Sequence, residues 1–135
     1  RVSTFNDRPC RTRHCQRLAN AVLFATSPEM FQGGDARRFD DLGRAARLRR
    51  FGGDCYAYGL LAAGFIDLVA EADLKPYDYL AQIPIIEGAG GVISDWQGRP
   101  LGLESDGRVL AAATPELHRE ALARLSEART RRYPA

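Results

Sequence analysis

The sequence predicts an α/β fold in which a sheet is layered against helices. Apolar runs of strand length alternate along the chain with stretches of helical periodicity, and no hairpin signal of the Asn-Gly kind joins one run to the next. Length sets the scale: 135 residues suit a single domain, and a domain of this size buries about two-thirds of the surface its unfolded chain exposes. No internal repeat, low-complexity block or linker divides the chain.

Val2 to Phe5 runs straight into the turn signal Asn6-Asp7-Arg8-Pro9, so the chain is expected to open near the end of a strand, inside a larger domain. Ala21-Val22-Leu23-Phe24-Ala25 is short, apolar and stopped by Ser27-Pro28, which predicts a buried strand. From Pro28 to Arg47, the apolar residues Met30, Phe31, Phe39, Leu42, Ala45 and Ala46 have the spacing of one or two surface helices, interrupted at Gly33-Gly34. Leu48 to Phe51 reads as a short strand ending at Gly52-Gly53. Asp54 is placed to cap a helix over Cys55 to Ala63, and Gly64 closes it.

Phe65 to Ala70, rich in large and β-branched residues, predicts a strand with Glu71 at or just past its carboxyl end. Pro76 suits the first turn of the next helix, because its missing N–H would have had no intrahelical partner there. Tyr79, Leu80, Ile83, Ile85 and Ile86 form that helix's apolar face, Pro84 should kink it or begin a new turn, and Gly88, Gly90 and Gly91 end it. Val92 to Asp95 predicts a strand before the turn Trp96 to Pro100, and Val109 to Ala113 predicts another. Thr114-Pro115-Glu116 opens the last helix, with Leu117, Leu122 and Leu125 on one side. Residues 129–135 are expected to fray.

Hydrophobic residues at 45% and charged residues at 27% exclude a disordered tail or a collagen-like repeat. No apolar run approaches the roughly 20 residues that span a bilayer, and the arginine-rich stretch Arg1 to Arg17 is no secretory signal. A cytoplasmic protein without membrane partners is the expectation. Cys10, Cys15 and Cys55 cannot all pair within the chain, which favours reduced thiols. Cys10, His14 and Cys15 lack the paired spacing of a structural zinc site. Arginines cluster at Arg8, Arg11, Arg13 and Arg17 and again at Arg44, Arg47, Arg49 and Arg50, but no zinc finger, basic zipper or aromatic RNA motif accompanies them. They read as solvated faces, and no nucleic-acid partner is expected.

Chemistry concentrates between Gly52 and Gly91. Glu71, Asp73 and Asp78 place carboxylates around a strand-to-helix junction, where α/β sheets bind ligands. A hard cation such as Mg²⁺ takes oxygen ligands, usually one or two carboxylates plus water and substrate phosphate. The same residues also serve plain structural ends, since Asp78 in a first helical turn suits the helix dipole and Asp54 suits a cap.

The string Gly53-Asp54-Cys55-Tyr56-Ala57-Tyr58-Gly59-Leu60-Leu61-Ala62-Ala63-Gly64, followed by Glu71, by Leu74-Lys75-Pro76-Tyr77-Asp78 and by Ile85-Ile86-Glu87-Gly88-Ala89-Gly90-Gly91, resembles the second signature of the inositol monophosphatase superfamily. The pieces keep their order and spacing over about forty residues, far more specific than a lone glycine motif. Asp54-Cys55 after the glycines, Lys75-Pro76-Tyr77-Asp78 and Ile86-Glu87-Gly88-Ala89-Gly90-Gly91 are similar to the histidinol-phosphate phosphatases of plants and proteobacteria, as are Arg11 to Cys15 and Phe24 to Phe31.

The resemblance implies the carboxyl-terminal half of that layered fold, with residues 1–135 as a single partial domain. It implies Mg²⁺-dependent hydrolysis of a phosphate monoester, with two or three Mg²⁺ ions activating water and stabilising the leaving alkoxide. Asp78 then matches a metal ligand, Glu71 a contact to the non-phosphate part of the substrate, and Gly52, Gly53 and Asp54 the loop lining its pocket. A carboxylate at Asp54 could pair with the ammonium or imidazole of histidinol, whereas inositol offers no cation. The aspartate loop that supplies the family's other metal ligands has no counterpart here. No catalytic residue is therefore expected within this chain, activity is expected to need an amino-terminal half, and the expected partner is that half or a second copy in a homodimer. The competing expectations are an inositol or other small-molecule phosphatase of the same fold, and a non-catalytic binding remnant that self-associates through its uncovered apolar face.

Overall fold

The computed structural model describes residues 1–126, and the fraying expected for 129–135 lies outside the described residues. Strands β1 (Thr4–Phe5) and β2 (Arg8–Pro9) come first, then β3 (Val22–Phe24), α1 (Gly34–Ala45), β4 (Leu48–Arg50), α2 (Tyr56–Ala62) and β5 (Leu68–Glu71). Helices α3 (Pro76–Tyr79) and α4 (Gln82–Gly88), strands β6 (Val92–Ser94) and β7 (Val109–Ala112), and α5 (Pro115–Leu125) follow. Single 3-10 turns at Leu18–Asn20 and Pro28–Met30 flank β3.

Five strands form one sheet in the order β4-β3-β5-β7-β6. β4, β3 and β5 run parallel, and β7 is antiparallel to both its neighbours. Every residue of β5 and β7 is buried. Two helix pairs cover the sheet, α1 with α5 and α2 with α4, with α5 packing on β7 and α2 on β5. Such a strand, buried on both faces, must be apolar along its whole length; Leu68, Val69 and Ala70, and Val109 to Ala112, meet that demand.

The helix ends follow the expected chemistry except at one point. Thr114 caps α5 by accepting the Leu117 N–H at 3.1 Å, with Pro115 in the first turn. The long helix expected around Pro84 is two: α3 stops after Tyr79, and Pro84 falls in the first turn of α4, where a missing N–H costs nothing. Gly64, at φ +88°, closes α2. Asp54, by contrast, does not cap α2. It adopts φ +48°, Cys55 occupies the cap position, and no side chain caps the helix. Because Gly52 at φ +90° has already turned the chain left-handed, Asp54 continues that turn and lacks the extended backbone that brings a cap side chain onto the next N–H groups.

Two further expectations change. Asn6 and Asp7, both with positive φ, form the two-residue turn of a β1–β2 hairpin. Ser3 anchors this hairpin on α4, its N–H donating to Gly88 O at 3.0 Å and its hydroxyl to Ile85 O at 2.7 Å. The strand expected from Phe65 begins only at Leu68, because Phe65 is exposed and the buried Asp67 is drawn into an ion pair with the exposed Arg13. All three cysteines are free thiols; Cys10 and Cys15 are half-buried and Cys55 is exposed.

Candidate active site

The parallel register sets the site. Phe24 pairs with Arg50 on one side and with Val69 on the other, so two residues further on Gly52, Thr26 and Glu71 stand in a row at the carboxyl ends of three neighbouring strands. Ligands of open α/β sheets bind beyond that edge. The Gly52 N–H donates to Thr26 O at 2.8 Å, and the Thr26 N–H donates to Glu71 Oε2 at 2.9 Å.

Glu71 is 2% exposed. The Thr26 hydroxyl also donates to Oε2, at 2.5 Å, and the Tyr58 hydroxyl donates to Oε1 at 2.9 Å. Burial pushes the Glu71 carboxyl above its ordinary pKa against the pull of these donors, and the negative charge of Asp54 adds to the rise. Tyr58, itself 1% exposed, is pushed well above the usual tyrosine value by burial first, then by Glu71 and, more weakly, by Asp78. Asp54, Glu71, Asp78 and Tyr58 thus share one electrostatic neighbourhood.

Asp78 lies exposed in the first turn of α3. Its Oδ2 accepts the Lys75 N–H at 2.8 Å while its own N–H donates to Lys75 O at 2.8 Å. That reciprocal closure orients the carboxylate and leaves Oδ1 without a bond from the described residues. Asp54 is exposed, and its carboxylate makes no hydrogen bond within the described residues. Gly53 is required by space: a Cβ there would stand 2.7 Å from Ala57 Cβ and 3.2 Å from the Phe24 ring. Gly52 is required by conformation.

No group of three or more metal-ligating side chains occurs among the described residues. Asp78, with one oxygen available, still fits a Mg²⁺ ion that brings its own water and phosphate ligands, as one corner of such a site. A roomy cavity lies elsewhere. It holds about 740 Å³ between α1, α5 and the turn at Trp96-Gln97, and across it Arg108 Nε meets both oxygens of Asp35 at 3.0 and 2.9 Å.

The structure therefore brings together Gly52, Gly53, Asp54, Glu71 and Asp78 from the sequence-predicted set. It adds Thr26 and Tyr58, which sequence reasoning missed. Their signal lay in the parallel register for Thr26; for Tyr58, nothing short of the packed fold sets a helix tyrosine against the end of β5.

A family model described as the inositol monophosphatase family matches residues 3–130. The chloroplastic bifunctional phosphatase IMPL2 of Arabidopsis thaliana is 40% identical over 129 residues, which cover 90% of this chain and 37% of that protein. A histidinol-phosphatase of Chlorobaculum parvum is 33% identical over 93 residues, covering 69% of this chain and 36% of the relative. Among solved structures, an inositol monophosphatase from Zymomonas mobilis superimposes with a TM-score of 0.88 at 45% identity, over 90% of this chain and 48% of that one. This chain thus spans about half, or less, of the length of the proteins it matches.

Proposed function

The chain belongs to the inositol monophosphatase family, and on that premise we propose that it forms the substrate-selecting half of a metal-dependent phosphomonoesterase acting on histidinol phosphate. The carrying observation is Asp54. Its carboxylate, released from helix capping and beside buried Glu71, is an exposed acceptor on the loop that lines the proposed pocket. Two neighbouring negative charges favour a substrate bearing an ammonium or imidazolium group. Glu71, its oxygens oriented by Thr26 and Tyr58, accepts donors from the non-phosphate part of the ester, and Gly52 and Gly53 let the backbone approach it. Asp78 would hold one Mg²⁺, and bound Mg²⁺ would polarise the phosphate and lower the pKa of the attacking water. Residues beyond this chain supply the other ligands.

Exposed aromatics at the starts of α2 and α3, Tyr56 and Tyr77 at 70% and 76% exposure, support association with a further half of the fold or a second subunit. No described helix is long and apolar enough to cross a membrane. The 45% identity to an inositol monophosphatase favours a second reading, in which inositol phosphate is the substrate.

Phosphate release by the complete protein containing this chain, with Mg²⁺ and each ester in turn, separates the two. Histidinol phosphate should be preferred, and Asp54→Ala should lower its kcat/KM by about tenfold, the loss of roughly one charge-assisted contact, while leaving inositol phosphate turnover little changed. Equal losses on both esters would overturn the assignment of Asp54 to the cation.

A further inference from the structure

We propose that Tyr58 is a positioning residue for the loop Gly52–Asp54: its buried hydroxyl holds Glu71, Glu71 holds Thr26, and Thr26 holds the loop. The loop's role toward substrate rests on the function proposed above.

The bonds close a ring. Tyr58 Oη donates to Glu71 Oε1 at 2.9 Å, the Thr26 N–H and hydroxyl donate to Oε2, and the Gly52 N–H donates to Thr26 O at 2.8 Å. The chain from Gly52 through Asp54 to Tyr58 completes the circuit. The loop is therefore gripped at both ends, at Gly52 by the end of β3 and at Tyr58 by the end of β5. Asp54 sits midway, left-handed at φ +48°, with no hydrogen bond of its own side chain to fix it.

The charge pattern explains why such a grip is needed. Glu71's three donors are all neutral, so no cation offsets its charge, and Asp54 is close enough to raise its pKa. Two like charges repel, and the free loop would relieve that by swinging Asp54 outward. The Tyr58–Glu71 bond resists it by tying the helix end of the loop to the end of β5. Packing alone would not require a tyrosine. Phe would fill the same buried space, where Tyr58 is 1% exposed, and a buried tyrosine hydroxyl must find a partner or lose free energy.

Tyr58→Phe tests the relay, because it deletes only the hydroxyl. In this chain, amide hydrogen exchange at Gly52 and Thr26 should quicken about fivefold to tenfold, the loss of one buried hydrogen bond, with the amides inside α5 unchanged. Thr26→Val should reproduce the effect, and Thr26→Ser, which keeps the hydroxyl, should not. Unchanged exchange at Gly52 and Thr26, or equal quickening throughout the chain, would overturn the proposal. In the complete protein, Tyr58→Phe should raise KM for the amine-bearing ester about fivefold with kcat nearly constant; a fall in kcat at constant KM would argue for a merely structural tyrosine and against the relay. Should the wild-type protein release phosphate from no ester, the functional reading fails while exchange still decides the relay.

Discussion

Strand β5 is flanked by a buried carboxylate at each end, Asp67 just before it and Glu71 as its last residue, at 1% and 2% exposure. Their surroundings are opposite in kind. Asp67 receives a two-pronged ion pair from Arg13, Nε to Oδ1 at 2.9 Å and Nη2 to Oδ2 at 2.6 Å, and its Oδ2 also accepts the Val22 N–H at 2.9 Å. Glu71 meets only the neutral donors of Thr26 and Tyr58. At the first end the charge is cancelled and the group has nothing left to offer a ligand. At the second the charge is oriented and left standing, at the strand edge where the family's substrates are expected. A buried carboxylate without a cation is costly to keep, and its place marks function more sharply than its burial does.

The comparison can be broken by mutation. Arg13→Ala strands Asp67 without its cation and should cost about 3 kcal/mol, the low end for a broken buried pair because the Arg13 side chain is 44% exposed; chemical denaturation measures it. A loss below about 1 kcal/mol would mean that the two ends do not differ. Neutral isosteres sharpen the contrast. Asp67→Asn turns an amide donor toward Arg13 or Val22 and should cost about 2 kcal/mol. Glu71→Gln relieves charge burial, and its amide can donate to the tyrosine oxygen, so it should cost less than about 1 kcal/mol. Gly53→Ala probes the tightness of the site end. Its Cβ, 2.7 Å from Ala57 Cβ, should cost about 1 kcal/mol by overpacking, read as a lower melting temperature.

The smallest effect is the pH dependence. Burial raises the folded-state pKa of Glu71, so the folded protein binds this proton more tightly than the unfolded chain. The favourable contribution is full below the unfolded value and is lost as pH rises through the raised folded one. Wild type should therefore gain stability relative to Glu71→Gln on acidification through that window. His118 adds an opposite trend common to both proteins. Its pKa is lowered by burial and then by Arg119, so stability falls as pH drops from the unfolded histidine value toward the folded one. A difference curve between the two proteins cancels it.

Much of this site was legible because its residues lie close together in the chain. The carboxylates at 54, 71 and 78 and the glycines at 52 and 53 fall within one continuous signature, and α/β strand ends are where such residues serve ligands. Thr26 was not legible, because its link to Glu71 spans 45 residues and depends on parallel register. Tyr58 read only as one residue of the helix that follows Asp54. The cap assigned to Asp54 failed because local preference for Asp before a helix yields to the left-handed turn begun at Gly52. Likewise, the hairpin β1–β2 was hidden because Asn-Asp, unlike Asn-Gly, reads as a turn without specifying the positive φ values that both residues adopt. Antiparallel β7 was legible as a strand, but its partners were not, since an apolar run names no neighbour.

The position of β7 bears on how the protein is made. The strand that lies between β5 and β6 is the last of the described strands to leave the ribosome. A nascent chain that has emerged through β5 can pair β3 with β4 and β5, while β6 emerges with no hydrogen-bonding neighbour. At about 5–20 residues per second, the interval before β7 arrives lasts a few seconds. Throughout it, the edge of β5 that β7 will cover stays open to pairing with other chains.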